Sequence, residues 1–308
     1  MTQPKIASAR TALQRIALLA MLAGLSTFAA AQTMPAPTSA PAAAAAAPTQ
    51  TPPMNGIAHI AIRVQDIAAS LAFYNKLGFQ QAFANTGRDG KVSQSFLKLN
   101  DKQFIELYPV SAQNPTQNTS SFLHLCFEGA DLNALHDYYV AEGLAPISVR
   151  MAAAGNLLFT LQGPQQPTFA QNIEYTQYMP TSRHTLDIGQ HLSPDRVADK
   201  MTVVVLAMQD PAAARAFYLT KLGFTADPAN PVRLNLPGTS GQQVEIVPAD
   251  PLGTKSKILL TSPDIHKTGE LLKAKGIDFT DGNTLTVTDP DGNIIQIAPQ
   301  AGTFKGPM

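Results

Sequence analysis

Four segments of this 308-residue chain fit one ruler, and that repetition limits its fold more than any other feature. From His59, Asp66 follows seven residues on, Phe73 and Tyr74 fourteen and fifteen on, and Gly78 nineteen on. From His124 the same offsets give Asp131, Tyr138, Tyr139 and Gly143; from Lys257 they give Asp264, Leu271, Leu272 and Gly276. From Val203 they give Asp210, Phe217 and Tyr218, with Gly223 one residue late. Each copy opens on an alternating apolar run, as in "HIAIRV", and turns helical at the aspartate. The four aspartates stand where N-caps are wanted, accepting from the unpaired amides of a first helical turn. The aromatic or leucine pair falls two turns later, on a face able to pack against a sheet, and the glycines mark helix ends.

Further alternating segments follow each helix. The first unit has "QQAFANTG", "KVSQSFLKLN" and "KQFIELYPV", and the second has "LLFTLQG" and "NIEYTQY". The fourth closes on "NTLTVTDPDGNIIQIAP", two strands around an Asp-Gly turn. The common plan is β-α-β-β-β, an α+β class. His59 sits where alternation turns a side chain inward, and a buried imidazole needs a polar partner.

The ends and the charge confine the remaining possibilities. Lys5, Arg10 and Arg15 precede the apolar run "IALLAMLAGLSTFAA", which leads to Ala29-Ala30-Ala31, the pattern of a secretory signal peptide over residues 1–31. A run of about 15 residues is short for the roughly 20 that span a bilayer, so stable membrane insertion is not expected. Residues 32–54 are Ala/Pro-rich and read as an extended spacer. The expected location is therefore periplasmic or secreted. Cys126 is the only cysteine, so no disulfide forms within one chain. Twenty-two basic residues balance twenty-two acidic ones, which argues against nucleic acid and for a small-molecule substrate.

The Asp-capped helices with "FYNKLGF" and "FYLTKLGF", the strand "FIELYP" and the hairpin "DPDGNIIQI" resemble the vicinal-oxygen-chelate superfamily. That superfamily includes glyoxalase I, the fosfomycin and bleomycin resistance proteins and the extradiol dioxygenases. The resemblance covers about residues 55–299. It implies that β-α-β-β-β modules pair around cupped sheets, giving one glyoxalase-like domain over 55–180, a connection over 181–198 and a second domain over 199–300. A homodimer, with modules swapped between chains, is compatible with the same pattern.

In this superfamily the metal site takes one residue from the first and one from the last strand of each paired module. In the first pair those positions hold His59, Glu106, His124 and Glu174. Two imidazoles with one or two carboxylates suit one divalent ion, whether Zn, Ni, Mn, Co or Fe, and leave positions open for substrate. In the second pair the matching positions are Val203, Glu245, Lys257 and Gln296, so no metal is expected there. Strand parity turns Arg63, Tyr108 and Cys126 to the same side as the candidate ligands. Arg63 could meet an anionic substrate or form a salt bridge at the rim. Tyr108 could donate to a bound oxyanion or simply pack. Cys126 could be a thiolate near the metal or a small buried hydrophobe. His136 and His266 fall in helices and His184 and His191 in the connection, so none is expected as a ligand.

The resemblance implies a metal-dependent lyase or isomerase acting on a small oxygenated metabolite, with Glu174 or Glu106 as general base. Two alternatives remain open at this level: an Fe(II) ring-cleaving dioxygenase using both histidines and one glutamate, and a binding or sequestration protein of the bleomycin-resistance type.

Overall fold

In the computed structural model of the chain, the described residues are 50–111, 121–165, 170–249 and 257–300. The leader and most of the spacer expected over 1–54 lie outside them. The first module runs β1 (Met54–Val64), α1 (Ile67–Lys76), β2 (Gln81–Thr86), β3 (Val92–Lys98) and β4 (Phe104–Pro109). The second runs β5 (Ser121–Gly129), α2 (Leu132–Ala141), β6 (Arg150–Met151), β7 (Leu157–Gln165) and β8 (Ala170–Gln177). A short helix, α3 (Arg183–Leu186), lies in the connection. The third module is β9 (Lys200–Met208), α4 (Pro211–Thr220), β10 (Thr225–Ala226), β11 (Arg233–Asn235) and β12 (Gln243–Pro248). The fourth is β13 (Lys257–Ser262), α5 (Ile265–Ala274), β14 (Leu285–Thr288) and β15 (Ile294–Pro299).

All four aspartates cap their helices as the ruler requires. The carboxylates of Asp66 and Asp131 each accept from two first-turn amides, and those of Asp210 and Asp264 from one. The second member of each helical pair, Tyr74, Tyr139, Tyr218 or Leu272, is buried in the core. Gly78 ends α1 at φ +88°, where a Cβ would stand 2.7 Å from the backbone of Arg196, so both its conformation and its neighbour demand glycine.

The modules pair into two sheets with matching order: β2-β3-β4-β1-β5-β8-β7-β6, and β10-β11-β12-β9-β13-β15-β14. In each, the first strands of the paired modules meet antiparallel at the centre, and each runs parallel to the last strand of its own module. The modules keep this plan with strands of unequal length. In the fourth module the strand after the helix is reduced to a single bridge between Thr280 and Thr286. In the third, β10 and β11 are short because the intervening "DPANPV" carries two prolines, which donate nothing to a ladder.

Alternation divides the first sheet chemically. Ile60, Ile62, Ile105, Leu107, Leu125, Ile173 and Tyr175 turn to one side and join, with residues of the second sheet, a single hydrophobic core. The halves are also tied by polar contacts: Gln103 bonds the carbonyls of Ile57 and Met201, and the Tyr74 hydroxyl donates to Asp289 at 2.9 Å. The opposite side of the sheet is left for polar side chains and a small aromatic cluster. Among the described residues no helix is long and apolar enough to cross a membrane.

Candidate metal centre

Register brings the four candidate ligands together. His59 on β1 faces Cys126 on β5, which faces Glu174 on β8; in the adjacent row Glu106 on β4 faces Ala61, which faces His124 on β5. The local two-fold of the paired modules thus exchanges one His/Glu pair for the other, although His59 and Glu174 are 115 positions apart in the chain (174 − 59). The imidazole Nε2 atoms of His59 and His124 are 3.1 Å apart. His59 Nε2 lies 3.4 Å from Glu106 Oε1 and 3.4 Å from Glu174 Oε1, and His124 Nε2 lies 4.0 Å from Glu174 Oε2. The ligand atoms of His59, Glu106 and His124 form one group within 4.8 Å of one another, and those of His59, Cys126 and Glu174 form a second.

These spacings fit a cation. A divalent ion bound at about 2.0–2.2 Å holds neighbouring donors roughly 3 to 3.5 Å apart. The charge fits as well, because two buried carboxylates balance one divalent cation while the imidazoles stay neutral. Without a cation, electrostatics divides the carboxylates. Burial and the nearby Glu174 raise Glu106 against the pull of His59. Burial would raise Glu174 too, but His124 and the hydrogen bond from His59 outweigh it and hold that carboxyl down. Burial also opposes protonation of His59, yet Glu106 and Glu174 raise it, whereas burial pushes His124 down to about 4. A bound cation would offset the negative charge of the two carboxylates without a proton on either imidazole.

The supporting contacts lie around Glu106. Gln94 on β3 donates through Nε2 to Glu106 Oε2 at 2.7 Å and contacts the Tyr108 hydroxyl at 2.6 Å; that hydroxyl donates to the same carboxylate oxygen at 3.2 Å. Asn85 on β2 in turn donates to Gln94 Oε1 at 2.9 Å. Such contacts fix a ligand carboxylate in one orientation. Tyr108 therefore serves the ligand set rather than only packing, and burial raises its hydroxyl well above the ordinary value. Gln94 was missed from sequence; its signal was its position two residues from Phe96, which pairs with Glu106.

Arg63 faces Tyr108 in register, but it forms no salt bridge among the described residues, contrary to the rim pairing considered from sequence, and its buried Nε has no partner. Burial lowers its pKa. Cys126 is fully buried, and its thiol is raised by burial and by Glu174 and Glu106. It faces His59 in register.

The second sheet repeats the geometry without the donors. Register places Val203 opposite Leu259, which faces Gln296, and Glu245 opposite Val205, which faces Lys257. The surviving carboxylate, Glu245, is held by Arg233 Nε at 2.9 Å. His266 is exposed on α5, His136 lies against Phe159 on α2, and His191 pairs with Asp187 at 2.6 Å. His184 lies in the connection, as expected, and is buried against the aromatic cluster of the first sheet.

The sequence profile of the Glyoxalase/Bleomycin resistance protein/Dioxygenase superfamily matches residues 56–165, so the first half of the chain is similar to that superfamily. Solved structures with the same fold include an extradiol ring-cleaving dioxygenase from B. fuscum (TM-score 0.58, 15% identity, covering 82% of this chain and 74% of that one). They also include a Mn(II)-bound glyoxalase from Novosphingobium aromaticivorans (TM-score 0.59, 15% identity, 80% and 82%). A third is the 2,3-dioxygenase LapB from Pseudomonas sp. KL28 (TM-score 0.59, 13% identity, 81% and 93%). No curated protein matches the sequence.

Proposed function

We propose that the chain is an exported metalloenzyme of the lyase or isomerase type that transfers a proton on a small oxygenated substrate. The observation that carries this reading is the convergence of His59, His124, Glu106 and Glu174, with spacings of 3.1 to 4.0 Å. A divalent ion held there would supply Lewis-acid stabilisation of negative charge developing on neighbouring substrate oxygens. The protein's own groups then divide the remaining work. Either Glu174, whose carboxyl His124 and His59 hold down, or Glu106 would accept the proton as general base. Glu106 is fixed by Gln94 and Tyr108 and serves as a rigid ligand. Arg63, its Nε buried and unpaired, offers charge to an anionic substituent at the open end of the cup. The basic residues and apolar run of the leader support export.

A second reading has its own observation in its favour. His59, Glu106 and His124 form one donor group, and two histidines with one carboxylate are the ligand set of non-haem Fe(II) oxygenases. In that case the protein would cleave catechol-type rings. Purification without chelators, metal analysis and two assays separate these readings. Zn, Ni, Mn or Co with solvent-hydrogen exchange beside a substrate carbonyl supports the lyase or isomerase, whereas iron with oxygen uptake on catechols supports the dioxygenase. Ligand binding by metal-free protein without turnover would support sequestration and overturn both.

A further inference from the structure

The connection between the halves closes one end of the cup that holds the candidate ligands. It is strapped down at several points. Lys98, fully buried on β3, bonds the Asp187 carboxylate at 2.8 Å and the Asp187 carbonyl, and pairs with Asp101 at 2.9 Å. Arg183 donates to Asn85 Oδ1 at 3.0 Å and the Ala84 carbonyl at 3.1 Å while lying 4.4 Å over the Phe83 ring. The Arg183 amide also donates to the Ala154 carbonyl at 2.8 Å. Between these anchors the chain places His184 inside an aromatic box. Tyr178 stacks on its ring at 4.5 Å, and Phe104, Phe83 and Phe96 meet it edge-on at 4.9, 5.0 and 5.4 Å.

The box borders the metal centre directly. Phe104 is the register partner of His59, and Phe96 is that of Glu106. Yet His184 is only 2% exposed and neither ring nitrogen has a hydrogen-bond partner. A neutral imidazole carries one donor and one acceptor, and leaving both buried and unmet is costly. An apolar ring would fill the same box at no such cost. The side chain is therefore poorly explained by packing.

We infer that His184 is a specificity-determining residue of the cup, hydrogen-bonding a polar group that a bound vicinal-oxygen ligand carries on the side away from its chelating atoms. The inference rests on the metal-centre reading above, because the chelating oxygens fix which end of the ligand meets the box. The favoured ligand class is a small molecule with two neighbouring oxygens for the metal and a third polar atom, such as a hydroxyl, beyond its apolar body.

Two near-isosteric probes test this on the metal-loaded full chain. Hydroxymethyl-catechol and ethyl-catechol differ by a hydroxyl in place of a methyl and chelate alike; each is used in its 3- and 4-substituted form, with affinities read by calorimetry. The wild type is expected to prefer at least one hydroxymethyl isomer over its ethyl counterpart by about 5- to 10-fold, and His184→Phe to abolish that preference while keeping its metal and its affinity for the ethyl probe. His184→Gln, which retains a donor and an acceptor, is expected to recover part of the preference and guards against misfolding of the first variant. Equal preference in wild type and His184→Phe would overturn the inference and leave the metal centre standing. So would a raised Tm in His184→Phe with no preference in the wild type, the mark of an idle buried imidazole or one satisfied by water alone. Metal-independent binding, or none with any probe, would instead overturn the metal-centre reading on which the inference rests.

Discussion

At the scale of single residues, the site depends as much on what holds the ligands as on the ligands. Glu106 receives hydrogen bonds from both Gln94 and Tyr108. Gln94→Leu removes one of them and strands the other partners, so metal affinity is expected to fall about 10- to 100-fold with the fold intact. Competition with a chromophoric chelator measures this, and unchanged affinity would show that Glu106 needs no such support. His184 supplies a pH signature. Burial, with smaller contributions from His59 and Arg183, lowers its pKa to about 3, below the ordinary 6.5, so the folded state holds it neutral. The sign follows: its contribution to stability is complete above pH 6.5 and is lost as pH falls toward 3, by up to about 1.4 kcal/mol per unit. His124 acts in the same sense and His59 in the opposite one, so the comparison must be made with a variant. His184→Phe is expected to flatten the fall in urea midpoint between pH 6.5 and 4 relative to wild type. Parallel curves would mean that His184 is not buried neutral.

At the scale of elements, the ruler was legible because each mark has one local cause. An aspartate caps, a buried pair packs, and a left-handed glycine ends the helix, whatever the rest of the chain does. Asp131→Ala is expected to cost about 1 kcal/mol, since two amides lose their acceptor. Gly78→Ala should cost more, because it meets both an unfavourable φ and the Arg196 backbone. Urea unfolding of both variants checks the order, and a smaller loss for Gly78→Ala would show that the junction relaxes readily. The convergence of the four candidate ligands was legible for a related reason: equivalent strands of a repeat carry equivalent positions, so a residue type found twice points to a shared face. Gln94 and His184 were not legible on those terms. Gln94 matters through the side chain across from it, and His184 lies in a connection with no counterpart to compare. The shortened strands of the third and fourth modules were obscured in the same way, since local alternation does not reveal how much of a strand finds a partner.

At the scale of the whole molecule, one half carries donors and the other has replaced them. Glu245 survives in the second sheet but is paired with Arg233. The two sheets share a core, and the connection joining them closes the cup of the first. Its main anchor is Lys98. Lys98→Met leaves the buried Asp187 with only His191 beside it, and a loss of about 3 kcal/mol is expected. Lys98→Met with unchanged thermal stability would mean that the strap is not held by charge. The central claim is that two imidazoles and two carboxylates, brought together by paired modules, hold one divalent cation. Metal content of protein purified without chelators tests it most directly, measured beside the His59→Ala/His124→Ala double variant. The account predicts about one equivalent per chain in the wild type and almost none in the variant; no metal in the wild type, or equal metal in both, would contradict it.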